Sequence, residues 1–276
     1  MLKPITGIGS ELDFLCETER ECLAAYQLLR ERLKDHPDVR LYETFDPSTR
    51  CDPRAVVAIE SYVEGTEYSC DFVLEQGRVS ILRIARKVAV EGHGFGTILA
   101  YLLPGELPDG LSVDTLASHL LAASRALGLE RTLAMADLIV AAGEVYFLEV
   151  SPRLGGDCLP ELVKASCGFD MLGAALDFAE GKSVEPPPLV AWKQFVGLRL
   201  FASCQGEIKR IDTGELLADQ RVLRLELKRQ AGHKVVLPPS DYGSHLLGHL
   251  FFKPHSVLDL ETECLELAGR LRVEYA

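Results

Sequence analysis

Apolar positions along this chain switch between strand-like alternation and helical spacing, and the switches divide it into elements. Leu2 begins a short strand, a glycine-containing turn follows over Gly7, Ile8, Gly9 and Ser10, and a second strand is expected from Leu12 to Cys16. Thr18 with Glu21 forms a capping box that starts a helix running to about Leu33, along which Leu23, Tyr26, Gln27 and Arg30 keep the turn spacing. After a loop rich in Pro and Asp over 46–53, Val56 to Tyr62 reads as a strongly apolar strand. Glu64 and Gly65 break it, Thr66 to Leu74 alternates, and Gln76-Gly77 turns the chain into Val79 to Ala85, an antiparallel meander.

Residues 90–111 lack regular periodicity and read as a glycine- and proline-rich loop that shapes a binding site, with His93 in it. Ser112 caps a helix whose Leu116, Leu120, Ala123 and Leu127 form an inward stripe ended by Gly128; His119 lies on it without chemical company. Leu133 to Ala141 is a strand carrying Asp137, and Gly143 turns it into the strand Val145 to Val150. A helix over Pro160 to Ala179, interrupted at Gly168, leads to a linker with three consecutive prolines before Leu189. Beyond it, Phe195 to Ser203, Gly206 to Ile211, Val222 to Lys228 and Leu246 to Phe252 read as strands, and Leu258 to Leu271 as a closing amphipathic helix.

With 276 residues, 47% of them hydrophobic, the chain suits a large mixed domain or two to three lobes with a substantial core. A net charge of −12 argues against a nucleic-acid partner, whose phosphates call for clustered Lys and Arg, but leaves room for a nucleotide held by a few local cations. No apolar run is long enough to span a bilayer and the N-terminus is not a signal peptide, so a cytoplasmic protein without a membrane partner is expected. The eight cysteines have no CxxC pair and no histidine at zinc-ligand spacing, which reads as buried reduced thiols.

The densest chemistry lies in VYFLEVSPRLGGDCLP, Val145 to Pro160. Strict alternation puts Phe147 and Glu149 on one strand face, Leu148 and Val150 on the other, and Ser151 beside Glu149. Two oxygen donors at that spacing suit a hard cation such as Mg²⁺. Arg153 offers a planar fork for anionic oxygens, and Gly155 and Gly156 permit a sharp turn. The Gly143 hairpin is expected to bring Asp137 to Glu149. In its simplest form the same window is a strand, a turn and a surface ion pair. Glu60, alone on an apolar strand, calls either for a ligand's amino group or for an ion pair with a nearby Arg or Lys.

The order of these parts resembles the ATP-grasp superfamily, whose members join a carboxylate to an amine or another nucleophile using ATP. The resemblance runs from Lys3 to about Gly181, and the C-terminal segment is similar to the small lobe of amino-acid-ligase and biotin-carboxylase-like members. It implies an α+β fold with two lobes sandwiching the nucleotide, over residues 1–64 and 65–184, and a small α+β lobe over 190–276. Lys3 and the loop of Gly7, Gly9 and Ser10 match the nucleotide lysine and the hairpin that covers the phosphates. Glu60, Tyr62 and Val63 match the hinge that receives adenine, and Glu67 the acid that holds the ribose. Asp137 and Glu149, with Ser151, match the ligands of Mg²⁺ or Mn²⁺, and Arg153 the arginine that steadies the transferred phosphoryl group.

Three departures accompany the match. Ser151 stands where the family has Asn. The domain of about a hundred residues that ordinarily precedes Lys3 is missing, which implies a fragment of a longer chain or one subunit of a split enzyme, with a separate N-terminal-domain subunit or a second copy as partner. The basic residue of the strand after the hinge is one of Arg83, Arg86 and Lys87. The implied activity is phosphorylation of a small carboxylate by ATP and attack of an amine on the acyl phosphate, with a weakened nucleotide-binding or regulatory subunit as the other reading.

Overall fold

The computed structural model describes residues 1–7, 9–42, 51–89, 95–188 and 191–276. The expectations placed on Ile8, on the start of the 46–53 loop and on His93 lie outside the described residues. The chain divides into two units, Met1–Tyr62 with Val90–Thr97 and Val236–Ser244, and Val63–Ala89 with Ile98–Val235 and His245–Ala276.

In the first unit β1 (Leu2–Pro4) pairs antiparallel with β2 (Val57–Ile59), Lys3 facing Ala58. The strand expected over Leu12 to Cys16 is reduced to one bridge, in which Leu2 and Phe14 exchange hydrogen bonds of 2.9 and 2.8 Å. Ser10 (φ 60°) and Leu12 (φ 63°) adopt left-handed conformations, which interrupt an extended run. Helix α1 (Glu19–Lys34) begins at the capping box: Thr18 Oγ1 accepts from Glu21 N at 3.2 Å, and Glu21 Oε2 accepts from Thr18 N at 3.2 Å. Its buried residues are Ala25, Leu29 and Leu33, packed against Leu2, Leu12 and Tyr42. Leu23 and Tyr26, which keep the turn spacing, are exposed, and the buried face runs through Ala25, Leu29 and Leu33 instead. A short helix α2 (Val39–Tyr42) completes this core.

The second unit is built on one eight-stranded antiparallel sheet. Its strands are β3 (Thr66–Glu75), β4 (Arg78–Ala89), β5 (Ile98–Leu103), β6 (Thr132–Ala141), β7 (Glu144–Ser151), β8 (Phe195–Phe201), β10 (Val222–Leu227) and β12 (Leu246–Phe252), in the order β10-β12-β8-β5-β4-β3-β6-β7. Strand β5 lies inside the stretch expected as a loop. Its sequence ILAYLL is buried at every position, and a strand covered on both faces carries no alternation to betray it. Residues 190–276, expected as a small third lobe, give three strands to this sheet. They also form a three-stranded sheet of β9 (Gly206–Asp212), β11 (Lys234–Val235) and β13 (Arg272–Tyr275), with helices α6 (Gly214–Leu217) and α7 (Leu260–Gly269).

One face of the large sheet packs on α3 (Val113–Ala126), capped by Ser112. Tyr68, Cys70, Phe72 and Leu74 of β3 and Ala134, Ala136 and Leu138 of β6 meet Leu116 and Leu120 there. The helix stripe continues through Ser124, whereas Leu127 is the exposed C-cap. The opposite face is partly covered by α4 (Leu159–Cys167) and α5 (Met171–Ala179), two helices separated by Gly168 in a left-handed conformation. By alternation, that second face also receives Glu67, Ser69 and Asp71 of β3 and Asp137 of β6.

Candidate active site

Asp137 and Glu149 are Cα partners in the β6–β7 hairpin, so their side chains leave the sheet on the same side. The register shifts here: Leu138 faces Phe147 while Asp137 faces Glu149, leaving Leu148 as an extra residue in β7. This bulge corrects the strict alternation expected from the sequence. Phe147 and Val150 both pack on the α3 side, and Glu149 goes to the other face, with Ser151 Oγ donating to Glu149 Oε1 at 3.2 Å. Arg153 Nη2 is 3.9 Å from Glu149 Oε1, with both side chains largely exposed.

Lys87 of β4 lies alongside, its Nζ 2.5 Å from Glu67 Oε1 and 2.6 Å from Asp137 Oδ2. Burial works against the ammonium charge, but the two carboxylates outweigh it and hold its pKa above the usual lysine value. Among the three basic residues left open by the sequence, Lys87 is therefore the one in this cluster. Arg86 donates to the Val257 carbonyl at 3.3 Å, and Arg83 is fully buried against Asp71. Asp137 Oδ1 is buried and has no hydrogen-bond partner among the described residues. An orphaned carboxylate oxygen, a facing carboxylate and a hydroxyl make a hard-oxygen donor set, which fits Mg²⁺ or Mn²⁺.

A second charged cluster, not anticipated as such, lies further along the same sheet. Tyr101 of β5 is the Cα partner of Lys87 on one side and of Gly197 on the other; beyond it Arg199 of β8 pairs with His249 of β12. Asp157, from the loop after β7, reaches into this group: its Oδ1 is 2.5 Å from His249 Nε2 and its Oδ2 is 3.2 Å from Arg199 Nε, with Lys228 Nζ at 3.9 Å. Burial alone would raise the Asp157 carboxyl, but the close contact with the His249 imidazole and the nearby Arg199 and Lys228 cations hold it below the ordinary carboxylate range. Asp157 has φ 60°, uncommon for a residue other than glycine, and the surrounding ion pairs hold it there. Its place two residues past Gly155 is the one signal in the sequence that could have found it; Arg199 and His249 lie in apolar strands that read as core.

Asp157, Cys158 and His249 also place one potential metal-ligand atom each within 4.8 Å of one another. This trio is a poor cation site. Arg199 and Lys228 already neutralise the carboxylate, and burial pushes the Cys158 thiol well above its ordinary value, so the thiolate a soft metal needs is disfavoured.

In the first unit, Lys3 Nζ is 2.7 Å from Glu60 Oε2, so the ion-pair alternative for Glu60 is the arrangement found. The backbone N–H and C=O of Glu60 are bonded to Met1. Tyr62 is half exposed and meets Phe95 edge to face at 6.1 Å. Gly9 (φ 67°) and Ser10 shape the turn after Gly7, which Asp13 N closes on the Ser10 carbonyl at 3.2 Å. Val63 and Glu67 belong to the other unit.

Burial pushes the Asp13 carboxyl up to about 6, with Lys3 opposing and Glu60 reinforcing the shift. A raised folded-state value means that stability present below about pH 4 is lost as pH rises through about 6. Asp13→Asn should therefore gain stability relative to wild type on going from pH 4 to 7. Asp13 is only half-buried, so the expected gain is about 1 kcal/mol. Urea unfolding at the two pH values measures it, and a difference that does not change with pH refutes it.

Residues 1–161 match the ATP-grasp domain family. Carnosine synthase 1 of Gallus gallus is 31% identical over 154 residues, covering 54% of this chain and 16% of that protein. The L-amino acid ligase structure from Bacillus licheniformis superposes with a TM-score of 0.73 at 21% identity, over 95% of this chain and 62% of the other. The biotin carboxylase domain of Hydrogenobacter thermophilus 2-oxoglutarate carboxylase, solved with MgADP and bicarbonate, gives 0.63 at 16% identity, over 99% and 57%. The chain thus spans a sixth of its curated relative and about three fifths of these solved structures. Among the described residues no helix is long and apolar enough to cross a membrane. With more than half its length matched and an α+β architecture dominated by one large antiparallel sheet, this chain belongs to the ATP-grasp family.

Proposed function

We propose that this chain is the catalytic portion of an ATP-dependent ligase that activates a small carboxylate, of an amino acid or similar molecule, for attack by an amine. The observation that carries the reading is one face of one sheet with two charged clusters of opposite character. Acidic residues Glu67 and Asp137 flank Lys87, with Glu149 facing Asp137 across the hairpin; basic residues Arg199, His249 and Lys228 surround Asp157. The first suits a metal-bound polyphosphate, and the second suits an anionic substrate carboxylate.

Asp137, Glu149 and Ser151 would hold Mg²⁺, which when bound supplies charge neutralisation on the phosphate oxygens. Arg153, exposed on the loop after β7, would exchange its contacts with Glu149 and the Leu154 carbonyl for the phosphoryl group in transit. Lys3 and the turn of Gly7, Gly9 and Ser10 are assigned to the phosphates, and Glu60, Tyr62 and Val63 to the adenine. Glu67 is assigned to the ribose; its ion pair with Lys87 and that of Lys3 with Glu60 must then be exchanged for ligand contacts. In the reaction a carboxylate oxygen attacks the γ-phosphorus and ADP leaves. The amine nitrogen then attacks the acyl carbon, releasing phosphate, and loses its proton. Arg199 and Lys228 would orient the carboxylate, and placing the reactants in line is the chain's main contribution.

A weakened nucleotide-binding subunit is the second reading, favoured by Ser151, whose hydroxyl is turned onto Glu149. ADP release from Mg-ATP across a panel of amino acids and small carboxylates separates the two. Substrate-dependent ADP with a dipeptide-like product is expected, and Mg-ATP binding with no turnover on any pair would establish the second reading instead.

A further inference from the structure

Beneath the loop that carries Arg153, the sheet holds an ion pair with no solvent exposure on either side chain. Asp71 of β3 and Arg83 of β4 are Cα partners, and the guanidinium lies directly against Asp71 Oδ2. Arg83 also donates to the Ser69 carbonyl at 2.7 Å and to Ser69 Oγ at 3.1 Å. The other carboxylate oxygen, Asp71 Oδ1, accepts from the backbone N–H of Gly155 at 2.6 Å. A Cβ at Gly155 would collide with the Arg83 guanidinium, so the loop can descend this far only with glycine there.

Such a pair is a poor source of stability. Desolvating both charges offsets most of their attraction, and apolar residues of similar volume often do as well or better. What distinguishes this pair is what it is tied to. Ser69 is the Cα partner of Asp137, and Gly155 lies two residues after Arg153 and two before Asp157. One rigid unit therefore connects the strand beside the acidic cluster to the middle of the loop that serves both clusters.

We propose that the Asp71–Arg83 pair is a positioning device that fixes the 152–157 loop over the sheet, setting Arg153 toward the phosphoryl group and Asp157 toward Arg199 and His249. The Arg153 half rests on the nucleotide reading given above; the anchoring of the loop does not. Asp71 and Arg83 touch no reacting atom and act through the loop.

The test replaces the pair in two ways. Asp71→Leu with Arg83→Met removes it without leaving a lone buried charge, and Asp71→Asn keeps an acceptor for Gly155 N. Amide hydrogen exchange is followed on peptides covering 152–158, and Mg-ATP and Mg-ADP affinities are measured by calorimetry. The double variant is expected to melt within about 3 °C of wild type. Its loop exchange should accelerate at least about tenfold, with Asp71→Asn closer to wild type. The preference for Mg-ATP over Mg-ADP should fall about tenfold as Arg153 loses its place. Unchanged loop exchange in a folded double variant overturns the proposal. Should the double variant fail to fold, Gly155→Ala, whose Cβ collides with the Arg83 guanidinium and lifts the loop off the pair, carries the same two readouts, and wild-type exchange with a wild-type nucleotide ratio in it overturns the proposal there too. If the wild-type protein binds neither nucleotide, the nucleotide reading fails while the exchange measurement still decides the anchoring.

Discussion

Glu149→Gln is expected to abolish the rise in melting temperature that Mg-ATP gives the wild-type protein. Saturating ligand at about a hundred times its dissociation constant stabilises a folded protein by about 2.7 kcal/mol, or roughly 5–10 °C in a chain of this size. Glu149 faces Asp137 across the hairpin, and the oxygen left unpaired on Asp137 is satisfied in this reading only by a cation the two carboxylates share. The amide keeps the shape and removes the charge, so the fold should persist while Mg-ATP affinity falls by about a thousandfold, the loss that removes the shift at this ligand concentration. Thermal scans with and without Mg-ATP measure this. An equal shift in both proteins would remove Glu149 from the metal site.

Lys87→Met should show the reverse pattern, a large loss of stability that divalent cation partly restores. The ammonium lies between Glu67 and Asp137 and is mostly buried, whereas the two acids keep some contact with water. Removing one partner of a fully buried pair costs about 3–5 kcal/mol, and partial exposure of the acids lowers the expectation to about 2–3 kcal/mol. Mg²⁺ alone should then raise the melting temperature of Lys87→Met more than that of wild type, because it replaces the positive charge that Lys87 supplied. If Mg²⁺ stabilises both proteins equally, Asp137 is not a metal ligand.

Much of the fold was legible in the sequence because its elements carry local signals. The capping residues Thr18 and Ser112 act within a few residues of themselves, and the Gly143 turn fixes the hairpin that puts Asp137 opposite Glu149. What escaped depends on contacts distant in sequence. Strand β5 is apolar on both faces and lies between glycines and prolines, so only its neighbours β4 and β8 define it. Asp71 could be found only through an amide 84 residues away. His249 and Arg199 become chemistry only once β8 and β12 pair and Asp157 arrives from a third place. Helix α1 was legible in its cap and extent but not in its buried face, since turn spacing fits two faces of that helix and only the packing of Leu29 and Leu33 on Leu2 selects one.

The extra residue in β7 has a consequence beyond the aim of Glu149. β7 closes one end of the sheet, so its outer N–H and C=O groups have no neighbouring strand among the described residues, and Tyr146 and Leu148 are exposed along it. A regularly spaced edge with apolar side chains exposed along it is a template on which a strand of another molecule can assemble. The bulge at Leu148 breaks the even spacing such an intruder would need. The same irregularity that directs a carboxylate toward chemistry thus guards the protein against aggregation at its open side.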